Sequence, residues 1–433
     1  MLSSDSKIAK TREMGLAYDL TLHRKSVKRN AIRQLDFVRF PNLTAPLAME
    51  SLLGKCDKIA DDGFKNLILT QSVLKGKNVY KIQSFEHELV LRLITKNLRR
   101  LTGARQTNRN SIVKSLKILL QEGLDYKVFK FDLKTFYESV DVDEVVKELE
   151  NDRGFSRSHF KLLKSLFSEL SAKNISGLPR GLAISATLSE YVLRRFDNAL
   201  TERDGVYFYE RFVDDIIIVA NPLETSKSIS RYIRKNLPHG LSLNAKKTQS
   251  YDFIETVLKQ SETSSIHKQV NFLGYTFKVF QRQKSKTEPI TRKVIVDISK
   301  SKTKKIKTKL VRSFLQFCAD GDFQILQSRI KLLSGNYTIF DEGRGVRRKA
   351  GIFFSYSIAD PDQSNSLKEL DSFLKKLLLC NSGSLCSQLQ AKLSIQQRRM
   401  LLKHSFLGGF KKRVFYNFSG SQLVLLMKCW KYA

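Results

Sequence analysis

The sequence predicts a mixed α+β fold, an antiparallel sheet packed on helices, and three observations predict it. Long stretches such as SFEHELVLRLITKNLRRLTG repeat apolar residues at helical spacing. Short runs rich in aromatic and β-branched residues, above all YFYERFVDDIIIVA at 207–220, read as strands and hairpins. Acids stand where those strands end: Asp132 after Val128, Phe129 and Phe131, and Asp214 with Asp215 at the tip of the hairpin. Adjacent carboxylates repel unless something neutralises them, and a divalent metal is the usual answer when oxygen ligands cluster on a rigid strand end. The hairpin is therefore a candidate metal platform. Asp61 and Asp62, in KIADDGFKNL, form the same dipeptide without flanking strands and read as a solvated turn.

With 433 residues the chain can build two or three modules, each with its own core. A hydrophobic content of 42% and only seven prolines predict a folded chain without a long disordered tail. Against 42 Asp+Glu stand 76 Lys+Arg, a formal charge of +34. Such an excess repels itself, so a polyanionic partner is expected, nucleic acid before an anionic membrane. Neither a lipidation signal nor a basic amphipathic helix of the membrane-binding kind is present, so no membrane partner is expected. Cys56, Cys318, Cys380, Cys386 and Cys429 are scattered, with no C-x-x-C and no His at ligand spacing, indicating neither a zinc site nor a disulfide framework. MLSSDSKIAKTREMGLAYDL lacks the apolar core of a secretion signal, and no run approaches the roughly 18 apolar residues of a membrane span. A cytoplasmic protein is expected.

Taken in order, residues 1 to about 75 combine basic clusters (His23, Arg24, Lys25, Lys28, Arg29) with short helices and a break from Pro41 to Pro46. The helix that follows Tyr80 should end at Gly103 as its C-cap. Arg105 and Arg109 then lie in a polar loop, placed for phosphate contact, before a second amphipathic helix that ends near Gly123. Beyond Asp132, for which an N-cap is the structural alternative, Tyr137 sets a flat side chain close to whatever that acid binds. Helices fill 141–173. Gly177, Pro179 and Gly181 make a tight turn that lets backbone approach a ligand closely, and a long helix runs on from Ser185. After the hairpin come a basic helix from Ser226 to Asn236, a strand in LSLNAKKTQSYDF with Lys246 and Lys247 near its end, and a second hairpin-like element, NFLGYTFKVF, bent at Gly274. Composition changes from Arg282. Lys300, Lys302, Lys304, Lys305, Lys307, Lys309 and Arg312 crowd a segment that turns helical near Ile306 and marks a domain boundary. The remainder reads as mainly helical, interrupted by a glycine-rich basic loop, EGRGVRRKAG, and carries the only tryptophan, Trp430.

In this order the motifs resemble the reverse transcriptase family over about Tyr80 to Phe280. FDLKTFY looks like the motif with the first metal-binding Asp, GLPRGLAIS like the one touching template and incoming nucleotide, and FVDD like the catalytic hairpin. LNAKKT is similar to the lysine-bearing motif, and NFLGYTF, with Phe272, Leu273, Gly274 and Tyr275, to the primer grip. FYESVD, LPRGLAISATLSEY and LVLLMKCWKYA most resemble bacterial defence-associated enzymes related to abortive-infection proteins and retrons. Arg180 stands where Gln is common and Phe212 where Tyr is common.

The resemblance implies a right-hand polymerase with helical fingers (1–125), a palm of antiparallel sheet on helices (126–285, with a fingers insertion near 141–176) and a mainly helical basic thumb or RNA-binding region (286–433). It implies RNA-directed DNA synthesis with two Mg2+ ions, Mn2+ being the substitute, held by Asp132, Asp214 and Asp215, with Lys247 protonating the leaving pyrophosphate. Tyr137, Arg105, Arg109, Pro179, Arg180 and Gly181 would meet the nucleotide, Tyr137 as a gate against a ribose 2′-hydroxyl. The lysines from Lys300 to Lys309 would track phosphates. Expected partners are an RNA template, a structured noncoding RNA above all, dNTPs and the DNA product, in antiviral defence in a bacterial cytoplasm; an oligomer or partner protein stays open. Template-independent or protein-primed synthesis at the same site, and a non-catalytic maturase-like scaffold, are the alternatives.

Overall fold

The computed structural model describes residues 19–431 apart from 75, 153–154, 255–264, 283–289, 342–345 and 381. The stretch 1–18, which carries most of the N-terminal sequence read for a secretion signal, lies outside them. Two compact units result, one from 1–108 and 125–254, the other from 109–124 and 255–433.

The first unit is built on a four-stranded antiparallel sheet in the spatial order 206–212, 215–220, 126–132, 249–253. Its strands are β3 (Tyr126–Asp132), β4 (Val206–Phe212), β5 (Asp215–Ala220) and β6 (Gln249–Phe253). Strand β5 reads DIIIVA and is buried from Ile216 onward, as a central strand covered on both faces must be. A separate hairpin, β1 (Leu69–Leu74) with β2 (Lys77–Ile82), precedes the helix Phe85–Thr102. That helix has every expected boundary signal: Ser84 accepts from the His87 N–H, Glu86 and Glu88 occupy the first turn, and Gly103 ends it at φ +67°. Asp61 and Asp62 are the exposed last residues of the helix Pro46–Asp62 rather than a separate turn.

The second unit holds a three-stranded sheet, β7 (Ile266–Phe272), β8 (Tyr275–Phe280) and β9 (Val294–Ile298), and a two-stranded ribbon, β10 (Asn336–Asp341) with β11 (Val346–Gly351). Helices follow at Asn365–Leu379, Ser384–Lys392 and Ile395–Leu402. Three expectations are corrected here. The lysine-rich helix starts at Lys300, not near Ile306, because Ser299 supplies an extended N-cap and lysine is a good helix former. EGRGVRRKAG is not a loop throughout: residues 346–351 pair with β10 as a strand, and 342–345 lie outside the described residues. Cys380 and Cys386, six apart in sequence, are joined as a disulfide. Among the described residues no helix is long and apolar enough to cross a membrane.

Candidate active site

The first unit brings the three expected carboxylates to one end of its sheet. Register pairs Asp132, the last residue of β3, with Asp215, the first of β5. Asp214 occupies the β4–β5 turn, and its carbonyl accepts from the Leu133 N–H at 3.1 Å. Asp132 is 4% exposed, and each oxygen accepts one hydrogen bond: Lys247 Nζ donates to Oδ1 at 2.8 Å and Asn244 Nδ2 to Oδ2 at 3.1 Å. Its backbone carbonyl accepts from the Asn244 N–H at 2.7 Å, which ties the LNAKKT segment to the strand end.

Burial pushes the Asp214 carboxyl above its ordinary value, and the charge of Asp132 adds to the effect. Asp215 is raised by burial first and by Asp214 next. The Lys247 ammonium is raised chiefly by its hydrogen bond to Asp132. Asp214 and Asp215, both held back from ionising, form with Asp132 and beside the Lys247 ammonium a donor set that fits a divalent cation.

These shifts carry a sign. A folded-state value above the reference of 3.8 means that, between the two, the folded chain holds the extra proton. Stability therefore declines as pH rises through that window, and the penalty is complete above it. In chelator-treated protein, Asp215→Asn is expected to melt higher than wild type at neutral pH and to lose that advantage below the window. Melting curves across pH check this.

Arg211, which sequence reasoning missed, lies directly behind the turn with its side chain 3% exposed. Its Nη2 donates to Glu190 Oε2 and Asp197 Oδ2, both at 2.8 Å, and Nε to Asp197 Oδ1 at 2.9 Å. Nη1 reaches the Val213 carbonyl at 2.9 Å. Tyr209 Oη donates to the same Asp197 at 2.5 Å. Val213 itself is left-handed at φ +61°, a costly conformation for a β-branched residue. The one available signal was a cation inside an otherwise aromatic strand, three residues before the acids.

The turn 177–181 closes over the segment after β3. Gly177 has φ +66°, and a Cβ there would fall 2.4 Å from the Tyr137 carbonyl, which accepts from the Leu178 N–H at 2.7 Å. Gly181, at φ +97°, would clash with the Tyr80 carbonyl at 2.3 Å, so both positions require glycine. The Pro179 carbonyl accepts from Ser185 Oγ at 2.7 Å, closing the turn onto the following helix. Arg180 lies with Cζ 4.6 Å from the centre of the Tyr137 ring and grips Glu138 with two hydrogen bonds of 3.0 and 3.2 Å. Tyr137 is half-buried, and burial raises its phenol.

Arg105 stays in an exposed segment of the first unit. Arg109 is not a loop residue but starts the helix Arg109–Leu120 of the second unit. Its Nε and Nη2 donate to the Leu273 carbonyl at 2.9 and 2.6 Å, and Nη1 to the Ser355 carbonyl at 2.9 Å. Stacked 4.8 Å from the Tyr275 ring, it supports the Phe272–Tyr275 turn, with three of its N–H donors on backbone carbonyls. In that turn Leu273 has φ +45° and Gly274 φ +80°, while Phe272 and Tyr275 are buried. Of the lysines, Lys300, Lys304 and Lys305 are exposed. Lys302 is partly buried; Lys307 pairs with Glu369 beside Phe373, and Lys309 lies 5.2 Å from the Trp430 ring, because the helix packs that side inward. Asp141, Glu144 and His239 form a further exposed group of acidic and imidazole ligands with atoms within 4.8 Å of one another.

A sheet that presents paired acids at its open end, with a glycine turn and an aromatic beside them, defines a palm of the nucleotidyltransferase kind. Residues 77–277 match the family model described as reverse transcriptase (RNA-dependent DNA polymerase). Domains of that family work with divalent metal ions. A solved structure of apo telomerase from Candida tropicalis, truncated from its C-terminal domain, is similar at 14% identity and a TM-score of 0.34. The similarity covers 50% of this chain, and the chain spans about half, 53%, of that one. No curated protein matches the chain in sequence.

Proposed function

We propose that the chain is an RNA-directed DNA polymerase. The observation that carries this reading is the cross-strand pairing of Asp132 with Asp215, with Asp214 in the adjoining turn. Asp132 and Asp214 would hold the metal ions, Mg2+ by preference, and Asp215 would stand beside them. Bound there, two divalent ions supply activation of a primer 3′-hydroxyl and neutralisation of charge at the leaving pyrophosphate. Asn244 and Lys247 orient Asp132, and Lys247, its side chain 61% exposed, holds a proton at Nζ that pyrophosphate can accept. Positioning and charge stabilisation supply the rest of the rate.

Tyr137, braced by Arg180, acts as the gate against ribonucleotides, so the product is DNA. Residues 1–125 would serve as fingers, 126–285 as palm and 286–433 as thumb, with Phe272–Tyr275 as primer grip. The exposed Lys300, Lys304 and Lys305 would lie along phosphates. The motifs' likeness to defence-associated enzymes supports an antiviral role in a bacterial cytoplasm, with a structured noncoding RNA as template. Extension of a DNA primer on an RNA template, with labelled dNTPs and Mg2+, tests the reading; failure of the pure chain to extend any primer counts against it. In the same assay Tyr137→Ala should raise ribonucleotide incorporation by about tenfold or more, the scale of 1.4 kcal/mol of lost discrimination. An unchanged ratio of ribo- to deoxynucleotide use removes the gate assignment.

A further inference from the structure

The β10–β11 ribbon has two unlike faces. Residues opposite one another in an antiparallel pair share a face. On one face Tyr337 and Ile339 pack against Leu332, Leu423, Leu426 and Trp430. The other carries Thr338 opposite Lys349 and Phe340 opposite Arg347. Phe340 is 40% exposed, and Arg347 and Lys349 are exposed beside it. Arg348, on the packed side, is neutralised by Asp341 at 3.0 Å, whereas among the described residues neither Arg347 nor Lys349 meets a carboxylate. The outward face runs on into two more aromatics and a third cation. Lys349 Nζ lies 5.7 Å from the Phe354 ring, Phe354 lies 5.2 Å from Phe353, and Arg413 Cζ lies 4.3 Å from Phe353.

This face sets an exposed aromatic beside two cations that meet no carboxylate among the described residues. It is what an unpaired base and its neighbouring phosphates require: a face to stack on, and positive charge at strand spacing, about 7 Å between same-side residues. Duplex bases are already stacked and offer Phe340 nothing.

We propose that this face binds single-stranded nucleic acid, with Arg347, Lys349 and Arg413 on its phosphates and Phe340 under a base. The site belongs wholly to the second unit and stands apart from the polymerase reading, since extension of a short preformed primer-template does not require it.

Fluorescence anisotropy of the full chain with labelled 16-mers of uridylate, of thymidylate and of a matched duplex, over a salt series, tests the proposal. Arg347→Ala with Lys349→Ala should weaken single-strand binding and flatten the log–log salt slope by about 1.4, two lost contacts at about 0.7 each. Phe340→Ala should weaken it about fivefold or more with the slope unchanged, the signature of lost stacking. Comparable affinities for uridylate and thymidylate assign recognition to the shared backbone and bases; a preference for uridylate that the variants abolish assigns it to RNA. Melting temperatures equal to wild type confirm that each variant folds. The charge-matched pair Lys375→Ala with Lys376→Ala, also exposed, is the control. An equal loss in that pair, no effect of Phe340→Ala, equal losses for duplex, or binding to anionic vesicles in place of either oligonucleotide would overturn the assignment.

Discussion

Asp214→Asn is expected to lower nucleotide incorporation by at least about 10²- to 10³-fold, the range seen when one preorganised electrostatic group is removed from a reaction centre. The substitution changes one oxygen into an amide nitrogen and leaves the turn intact, because the Asp214 contact to Leu133 uses the backbone carbonyl. Folding should survive, and the metal-free protein should gain stability, since the carboxyl it removes is held above its ordinary value by burial. Loss of activity with undiminished stability is thus the specific outcome. Single-turnover incorporation and a melting curve on the same preparation measure both.

Arg211→Met is expected to have the largest effect on stability, about 2–3 kcal/mol, because it leaves the partly buried Glu190 and Asp197 without the buried cation that pairs with both. Burial alone would lower the guanidinium's affinity for its proton, but Asp197 and Glu190 outweigh it, and the group is held well above its ordinary value. Arg211→Lys keeps the charge but not the fork that reaches two acids and the Val213 carbonyl, so it should recover only part of the loss. Val213→Gly checks the same geometry from the other side. Glycine adopts φ +61° without strain, so this variant should melt no lower than wild type. Urea denaturation of the four proteins separates these outcomes. A loss below about 1 kcal/mol in Arg211→Met would mean that the network is worth no more than an exposed pair.

Much of the palm was legible because its signals are local. The alternation around Asp132, the aromatic and β-branched runs flanking Asp214 and Asp215, and the glycines at 177 and 181 each announce a strand end or a tight turn within a few residues. Where partners lie far apart in sequence, local reading failed. Arg109 looked like a loop cation because the Leu273 carbonyl it holds is 164 residues away. The Arg211 network draws on three separate segments, and only the fold brings Glu190 and Asp197 to it. The β10–β11 ribbon was masked by the glycines between its strands, although NYTIFD has a strand's composition. The disulfide between Cys380 and Cys386 depends on how two helices meet, which spacing alone does not reveal.

The most direct measurement of the central claim is to purify the chain from its own cells with the nucleic acid that accompanies it, sequence that RNA, and add Mg2+ and labelled deoxynucleotides to wild type and Asp214→Asn. Labelled DNA complementary to the bound RNA, made by wild type alone, is the predicted result. Labelled DNA unrelated to that RNA, or equal product from the Asp214→Asn protein, would contradict it.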